Sequence, residues 1–270
     1  MPKFAANISW LYPDIPFLDR MAAAARDGFQ AVECTFPYDR PLRVLQDRLN
    51  EALVPMVLLN APCGDWAAGE RGLAALEDRE ADFRSAIHQA ADWAQALRCP
   101  RVHVLAGRLH DGADLARAWR LYEERLHWAL EATADSGLTL MIEPINHRDM
   151  PGYLLSRQAQ AHALVQRLGA DRLQVQMDLY HCQLTEGDVL AQVRTWLPTG
   201  RVGHFQVAGV PDRGEPDVGE LPVPAVFDLI DEISQDTGWD GWIGCEYRPR
   251  QTEASGGTTA GLGWLRRWQT

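Results

Sequence analysis

Short apolar runs rich in β-branched and aromatic residues alternate with longer amphipathic stretches along the whole chain, and no other feature constrains the fold as tightly. The runs are FAANISW, QAVECTF, VPMVLLN, RVHVLAG, LTLMIEP, LQVQMD, VGHFQVA and WIGCEY. Helical patterns follow them over 16–27, 41–52, 79–97, 114–135, 156–168, 188–195, 223–236 and 258–268. Eight strand–helix units without a Pro/Gly/Ser-rich linker or a shift in composition predict one α/β domain over residues 1–270. Gly28, Gly137 and Gly241 each stand just before a strand, where a left-handed helix stop or tight turn suits glycine.

An open doubly wound sheet would satisfy the same alternation, so the placement of polar residues has to decide. Strand five closes on Glu143, strand six on Asp178, strand seven on Gln206 and strand eight on Glu246, each at the C-terminal end of an apolar run. Carboxyl ends of strands are where a closed barrel gathers its active site, so the expected fold is a (β/α)8 TIM barrel. Hydrophobic residues at 46% and charged residues at 23% provide for a sizeable core.

Three carboxylates and an amide oxygen aimed into one mouth would repel unless a cation neutralised them. An all-oxygen set suits Mg²⁺ or Mn²⁺ better than Zn²⁺, whose sites favour His and Cys. An acidic residue after a strand also serves as a helix N-cap, and for one residue that reading suffices. Four successive strands ending in an oxygen donor exceed it, because Gln is a poor N-cap and Glu143 precedes Pro144.

The net charge of −11, with no Lys/Arg-rich run, argues against nucleic acid as a partner. The N-terminus lacks a signal-peptide pattern, and no apolar stretch approaches the roughly 20 residues of a membrane span, so a cytoplasmic protein is expected. Five cysteines (Cys34, Cys63, Cys99, Cys182, Cys245) with no close pair are expected to be small buried hydrophobes. Ten tryptophans leave a homo-oligomer open without establishing one.

The stretches FAANISWLYPDIPFLDR, GFQAVECTFPYD, GDWAAGERGL, VHVLAG, the Glu143 strand, QMDLYHCQ, HFQVAGVPDRGEPDVGE and GWIGCEYRPR resemble the hydroxypyruvate isomerase group of the xylose-isomerase-like barrels. That group is related to the tagatose and psicose epimerases, and the resemblance runs nearly end to end. It implies that Glu143 and Glu246 are the paired acid/base residues, that Glu143, Asp178, Gln206 and Glu246 bind the metal, and that His181 and Arg213 contact substrate. The related epimerases have a histidine where this chain has Gln206, which places it with the hydroxypyruvate isomerases.

The implied reaction converts hydroxypyruvate to 2-hydroxy-3-oxopropanoate through an enediolate, a proton transfer suited to two positioned carboxylates and a metal. A small hydroxy-keto acid needs a positive group in the acidic mouth. Arg213 is the first candidate and Arg71, in GERGL after strand three, the second. His103 and His204 are expected to be satisfied core residues, while Glu33 should reach the mouth or pair with an arginine. Trp10, Tyr12, Phe36, Pro37 and Tyr38 are candidates to wall off the pocket. Three other readings stand beside this one: an isomerase of the four-carbon 2-oxotetronate, an endonuclease IV-type phosphodiesterase, and a non-catalytic sugar-acid binding protein.

Overall fold

Eight parallel strands pair in chain order and close on themselves, β8 against β1, in this computed structural model. They are β1 (Phe4–Asn7), β2 (Ala31–Cys34), β3 (Met56–Asn60), β4 (Arg101–His103), β5 (Thr139–Ile142), β6 (Leu173–Asp178), β7 (Val202–Val207) and β8 (Ile243–Cys245). Residues 1–169, 171–251 and 256–268 are described. Among them the helices are α1 (Arg20–Arg26), α2 (Leu42–Ala52), α3 (Glu80–Leu97), α4 (Leu115–Ala132), α5 (Gln158–Leu168), α6 (Leu179–Thr185), α7 (Val189–Trp196), α8 (Val223–Thr237) and α9 (Gly257–Ala260). The expected barrel is therefore present, with every expected strand in place.

Three elements differ from expectation. The helix expected from residue 16 starts as a 3₁₀ turn over Phe17–Asp19 and becomes α-helical at Arg20. Residues 258–268 form no continuous helix; α9 stops at Gly261, and a 3₁₀ turn follows over Leu265–Trp268. The unexpected α6 begins because the Asp178 side chain caps the backbone N–H groups of Tyr180 and His181. Gly28 and Gly137 have the expected positive φ, of 87° and 70°. Gly241 does not; a side chain there would run into the Trp239 indole and the carbonyl of Gly203.

Helices pack their apolar faces on the barrel, burying such large side chains as Tyr122, Phe205 and Phe227. Inside the barrel the layers differ in polarity. Ala5, Ala31 and Val57 pack with Trp242 at the amino ends of the strands. Two residues further along, Asn7 and Glu33 carry polar groups toward the mouth, following the period-two alternation of a strand. His204 of β7 meets Glu33 of β2 at 2.7 Å, a contact that crosses the barrel interior because β8 and β1 lie between those strands.

Candidate active site

Glu143 follows the last residue of β5, Asp178 ends β6 and Glu246 follows β8, so all three carboxylates emerge at the carboxyl rim. All are buried. Glu143 and Glu246 line a cavity of about 730 Å³ together with His103, Gln176, His181 and Arg213.

Asp178 divides its two oxygens between two tasks. Oδ1 accepts from the backbone N–H of Tyr180 at 2.7 Å, capping α6, while Oδ2 lies 3.5 Å from Arg213 Nη2 and 3.7 Å from His181 Nε2. Asp178 thus caps α6 through one oxygen and stands beside Arg213 and His181 through the other. Arg213 Nη2 also reaches Glu246 Oε1 at 3.2 Å. Its guanidinium lies over the rings of Trp10 and Tyr180, 4.7 and 5.0 Å from their centroids. Arg213 itself adopts a left-handed φ of 55°, strain that the Gly209–Gly214 backbone bond and the Arg248 N–H to Arg213 carbonyl bond hold in place.

Removal from water pushes the Glu143 carboxyl well above the usual range, and the neighbouring Asp178 and Glu246 push it further. Burial likewise lifts Glu246 to about 8, against the pull of Arg213 and with added repulsion from Asp178 and Glu33. Asp178 is raised by burial despite Arg213 and its two backbone donors. Burial lowers Arg213, but Glu246, Asp178 and Glu143 more than restore it, leaving a permanent cation. Burial, Arg213 and His103 drive His181 well below its ordinary value, so the ring is neutral.

The donor chemistry here fits a divalent cation. Single ligand atoms from Glu143, Asp178 and His181 come within 4.8 Å of one another. Glu246 is tied to Asp178 by their common partner, Arg213 Nη2. Gln206 stands beside it, its Oε1 accepting from Gln176 Nε2 at 2.7 Å and its Nε2 donating to Glu33 Oε1 at 2.7 Å.

Glu33 neither reaches the mouth nor meets an arginine, contrary to expectation. It pairs with the Asn7 amide, the Gln206 amide and His204 Nε2, and these three side chains offset its desolvation. Gly244 on β8 makes the room, since any side chain there would occupy the space of the Glu33 carboxylate. His204 is a core residue satisfied at Nε2 by Glu33, though its Nδ1 is buried without a hydrogen-bond partner among the described residues. His103 is not satisfied; among the described residues neither ring nitrogen has a hydrogen-bond partner, and Nδ1 stands 3.6 Å from Glu143 Oε2. Burial, then His204, lower its pKa to about 3, so it faces the cavity as a neutral ring.

Of the expected aromatic wall, Trp10 and Phe36 line the cavity. Tyr12 turns away to donate to Asp27, and Tyr38 donates to the Asn60 carbonyl while packing on Trp93. Trp66 replaces them, and Arg71 lies over its ring at 3.5 Å with its Nη1 held by the carbonyls of Trp66 and Glu70. Arg71 thereby reaches the cavity wall, opposite in chain order to Arg213. Gln176, His103 and Asn60 were missed as lining residues. For Gln176 the signal was available in period-two spacing, since it lies two residues before Asp178 on β6.

Fold and site together define a barrel enzyme whose polar chemistry is a buried carboxylate cluster bridged by Arg213 at the carboxyl mouth. Residues 21–268 match the family model described as xylose isomerase-like TIM barrel. Among curated relatives, a 2-oxo-tetronate isomerase of Cupriavidus necator is 52% identical over 98% of both chains. The hydroxypyruvate isomerase of Escherichia coli is 37% identical, again over 98% of both. A crystal structure of a Brucella melitensis protein named AP endonuclease, family 2, superposes with a TM-score of 0.92 at 40% identity over 100% of both chains. The chain belongs to the xylose isomerase-like TIM barrel family, and it is an isomerase.

Proposed function

We propose that the chain interconverts hydroxypyruvate and 2-hydroxy-3-oxopropanoate by proton transfer through an enediolate, with Glu143 and Glu246 as the acid/base pair. The observation that carries this reading is the burial of three carboxylates together at the carboxyl rim, each with its proton affinity raised by removal from water. Glu143, Asp178, Gln206 and Glu246 would hold a divalent metal, Mg²⁺ or Mn²⁺, which when bound supplies positive charge to the substrate oxygens and acidifies the neighbouring C–H.

One glutamate, ionised, removes a proton from the hydroxymethyl carbon; the other, protonated, returns one to the former carbonyl carbon. The hydroxyl proton passes to the neighbouring oxygen, so atoms and charge balance. Arg213, whose Nε is buried and unpaired among the described residues, would direct in-plane N–H groups from the edge of its guanidinium to the substrate carboxylate, and Arg71 and His181 would complete the substrate contacts. Trp10 and Phe36 exclude water from the enediolate.

Two observations favour a second substrate, 2-oxotetronate: the 52% identity to an isomerase of that name and a cavity with room for a fourth carbon. A phosphodiesterase is disfavoured by the acidic mouth and the −11 charge, which also disfavour nucleic acid as a partner. A binding protein needs no second acid/base group. Five free, buried cysteines support a reducing, cytoplasmic setting, and among the described residues no helix is long and apolar enough to cross a membrane.

The deciding experiment strips metal, restores Mg²⁺ or Mn²⁺, and follows both acids in D₂O by proton NMR. Metal-dependent conversion with deuterium in the product is expected, and the faster acid is the substrate. Inertness of both with either metal would overturn the reading. Glu143→Gln and Glu246→Gln should each lower kcat by about a hundredfold or more, and near-normal turnover in either removes that residue from the pair.

A further inference from the structure

Asn146, three residues beyond Glu143, makes the shortest hydrogen bond in the mouth, from its Nδ2 to His181 Nδ1 at 2.5 Å. Which end of the amide faces the ring is decided on the far side. Asn146 Oδ1 accepts the backbone N–H of Asp149 at 2.8 Å, while Nδ2 also donates to Asp149 Oδ2 at 3.2 Å. A flipped amide would set NH₂ against that N–H and oxygen against that carboxylate, losing both bonds. Asp149 is itself anchored by the Tyr180 hydroxyl at 2.8 Å.

With an N–H donor pressed on Nδ1, that nitrogen carries no proton, and the backbone N–H of Asn146 points at it too, at 3.5 Å. The proton of the neutral ring therefore sits on Nε2, the nitrogen 3.9 Å from Glu143 Oε1 and 3.7 Å from Asp178 Oδ2. A protonated nitrogen has no lone pair for a metal. We infer that Asn146, fixed by Asp149, is a positioning residue that locks His181 in its Nε2–H tautomer, making it a hydrogen-bond donor to a substrate oxygen and removing it from the metal ligands.

This inference rests on the proposed isomerase chemistry for the donor's target, while the tautomer itself rests on geometry alone. Proximity had grouped His181 with Glu143 and Asp178 as candidate ligands; the tautomer separates them and leaves an all-oxygen set. The donor matters most where charge builds on the substrate oxygen, so its loss should appear in kcat more than in KM.

The test is long-range ¹H–¹⁵N NMR of histidine-labelled protein, in which protonated and bare ring nitrogens are well separated. The His181 signals are assigned by their loss in His181→Gln. In the wild type, Nε2 is expected to be protonated and Nδ1 bare, with and without Mg²⁺. Asn146→Asp presents an acceptor instead, so the proton should move to Nδ1. Turnover should then fall by about a hundredfold with KM changed much less, and the bared Nε2 should raise affinity for Zn²⁺ relative to Mg²⁺. Asn146→Ala should release the ring into a mixture of tautomers.

A wild-type ring with its proton on Nδ1 overturns the inference whether or not the variants fold. An Asn146→Asp protein that folds with unchanged tautomer and kcat overturns it as well. A ring protonated on Nε2 in a wild-type protein inert toward both acids supports the lock and overturns the substrate assignment instead.

Discussion

Glu246 carries the electrostatic cost of the site in a single side chain. Its pKa rises from about 4.5 unfolded to about 8 folded, chiefly because burial removes the water that would solvate its charge. The folded state therefore binds the proton more tightly, and the associated stability is full below the unfolded pKa and lost as pH rises through the folded one. His103, His162 and His181 act in the opposite sense, their lowered pKa values removing stability as pH falls below about 6.5. Between pH 6.5 and 8 those rings are neutral in both states, and the carboxyls decide. The metal-free protein should lose roughly 1.4 kcal/mol per pH unit there from Glu246, visible as a falling Tm. Mg²⁺ should reverse the trend, because binding expels the protons. Calorimetry in buffers of different ionisation enthalpy would show that proton release, and a Tm flat or rising across the window without metal would contradict the account.

At the scale of elements, α6 and the loop after β3 separate structure from chemistry. Asp178 caps α6 through one oxygen and faces the cluster through the other, so the two roles can be divided by substitution. Asp178→Asn keeps an acceptor for the cap and removes the charge. It should fold with an undiminished Tm in the absence of metal while weakening Mg²⁺ binding by at least about tenfold. Asp178→Ala should lose about 1 kcal/mol of the capping energy as well, and equal Tm values for the two variants would argue that the cap contributes nothing. In the β3 loop, Gly72 has a φ of 114° and forms an antiparallel bridge with Ala106. A Cβ there would lie 2.5 Å from the Leu105 carbonyl, so backbone must move. Gly72→Ala should displace the loop that carries Trp66 and Arg71, raising KM for an anionic substrate severalfold and lowering Tm. An unchanged KM would place Arg71 outside substrate binding.

For the whole molecule, the apolar shell between barrel and helices holds the fold independently of the polar mouth. Chelation should accordingly leave the far-ultraviolet circular dichroism unchanged while turnover disappears and Tm falls only by the linkage contribution of the lost ligand. Loss of the helical signal on chelation would mean that the metal organises the barrel itself. The number of strand–helix units was legible in the chain because amphipathic periodicity is local, as was the placement of Glu143, Asp178 and Glu246 at strand ends, since an apolar run stops there; Gln206 instead lies one residue short of the end of β7, which closes on Val207. Helix α6 was not legible, because its seven residues are too few to show a period and its start depends on a cap that only the folded turn creates. The lengths of the first and last helices were misread for a related reason, both being short segments fixed by what they pack against. Sequence alone thus determined the barrel and the carboxylates at its rim. Tertiary structure alone decided that Glu33 is held by Asn7, His204 and Gln206, that His103 faces the cavity unpaired, and that Asn146 orients His181. The physical reason is closure: Glu33 and His204 lie 171 residues apart in the chain, and no local pattern encodes which polar groups meet when the first and last strands join.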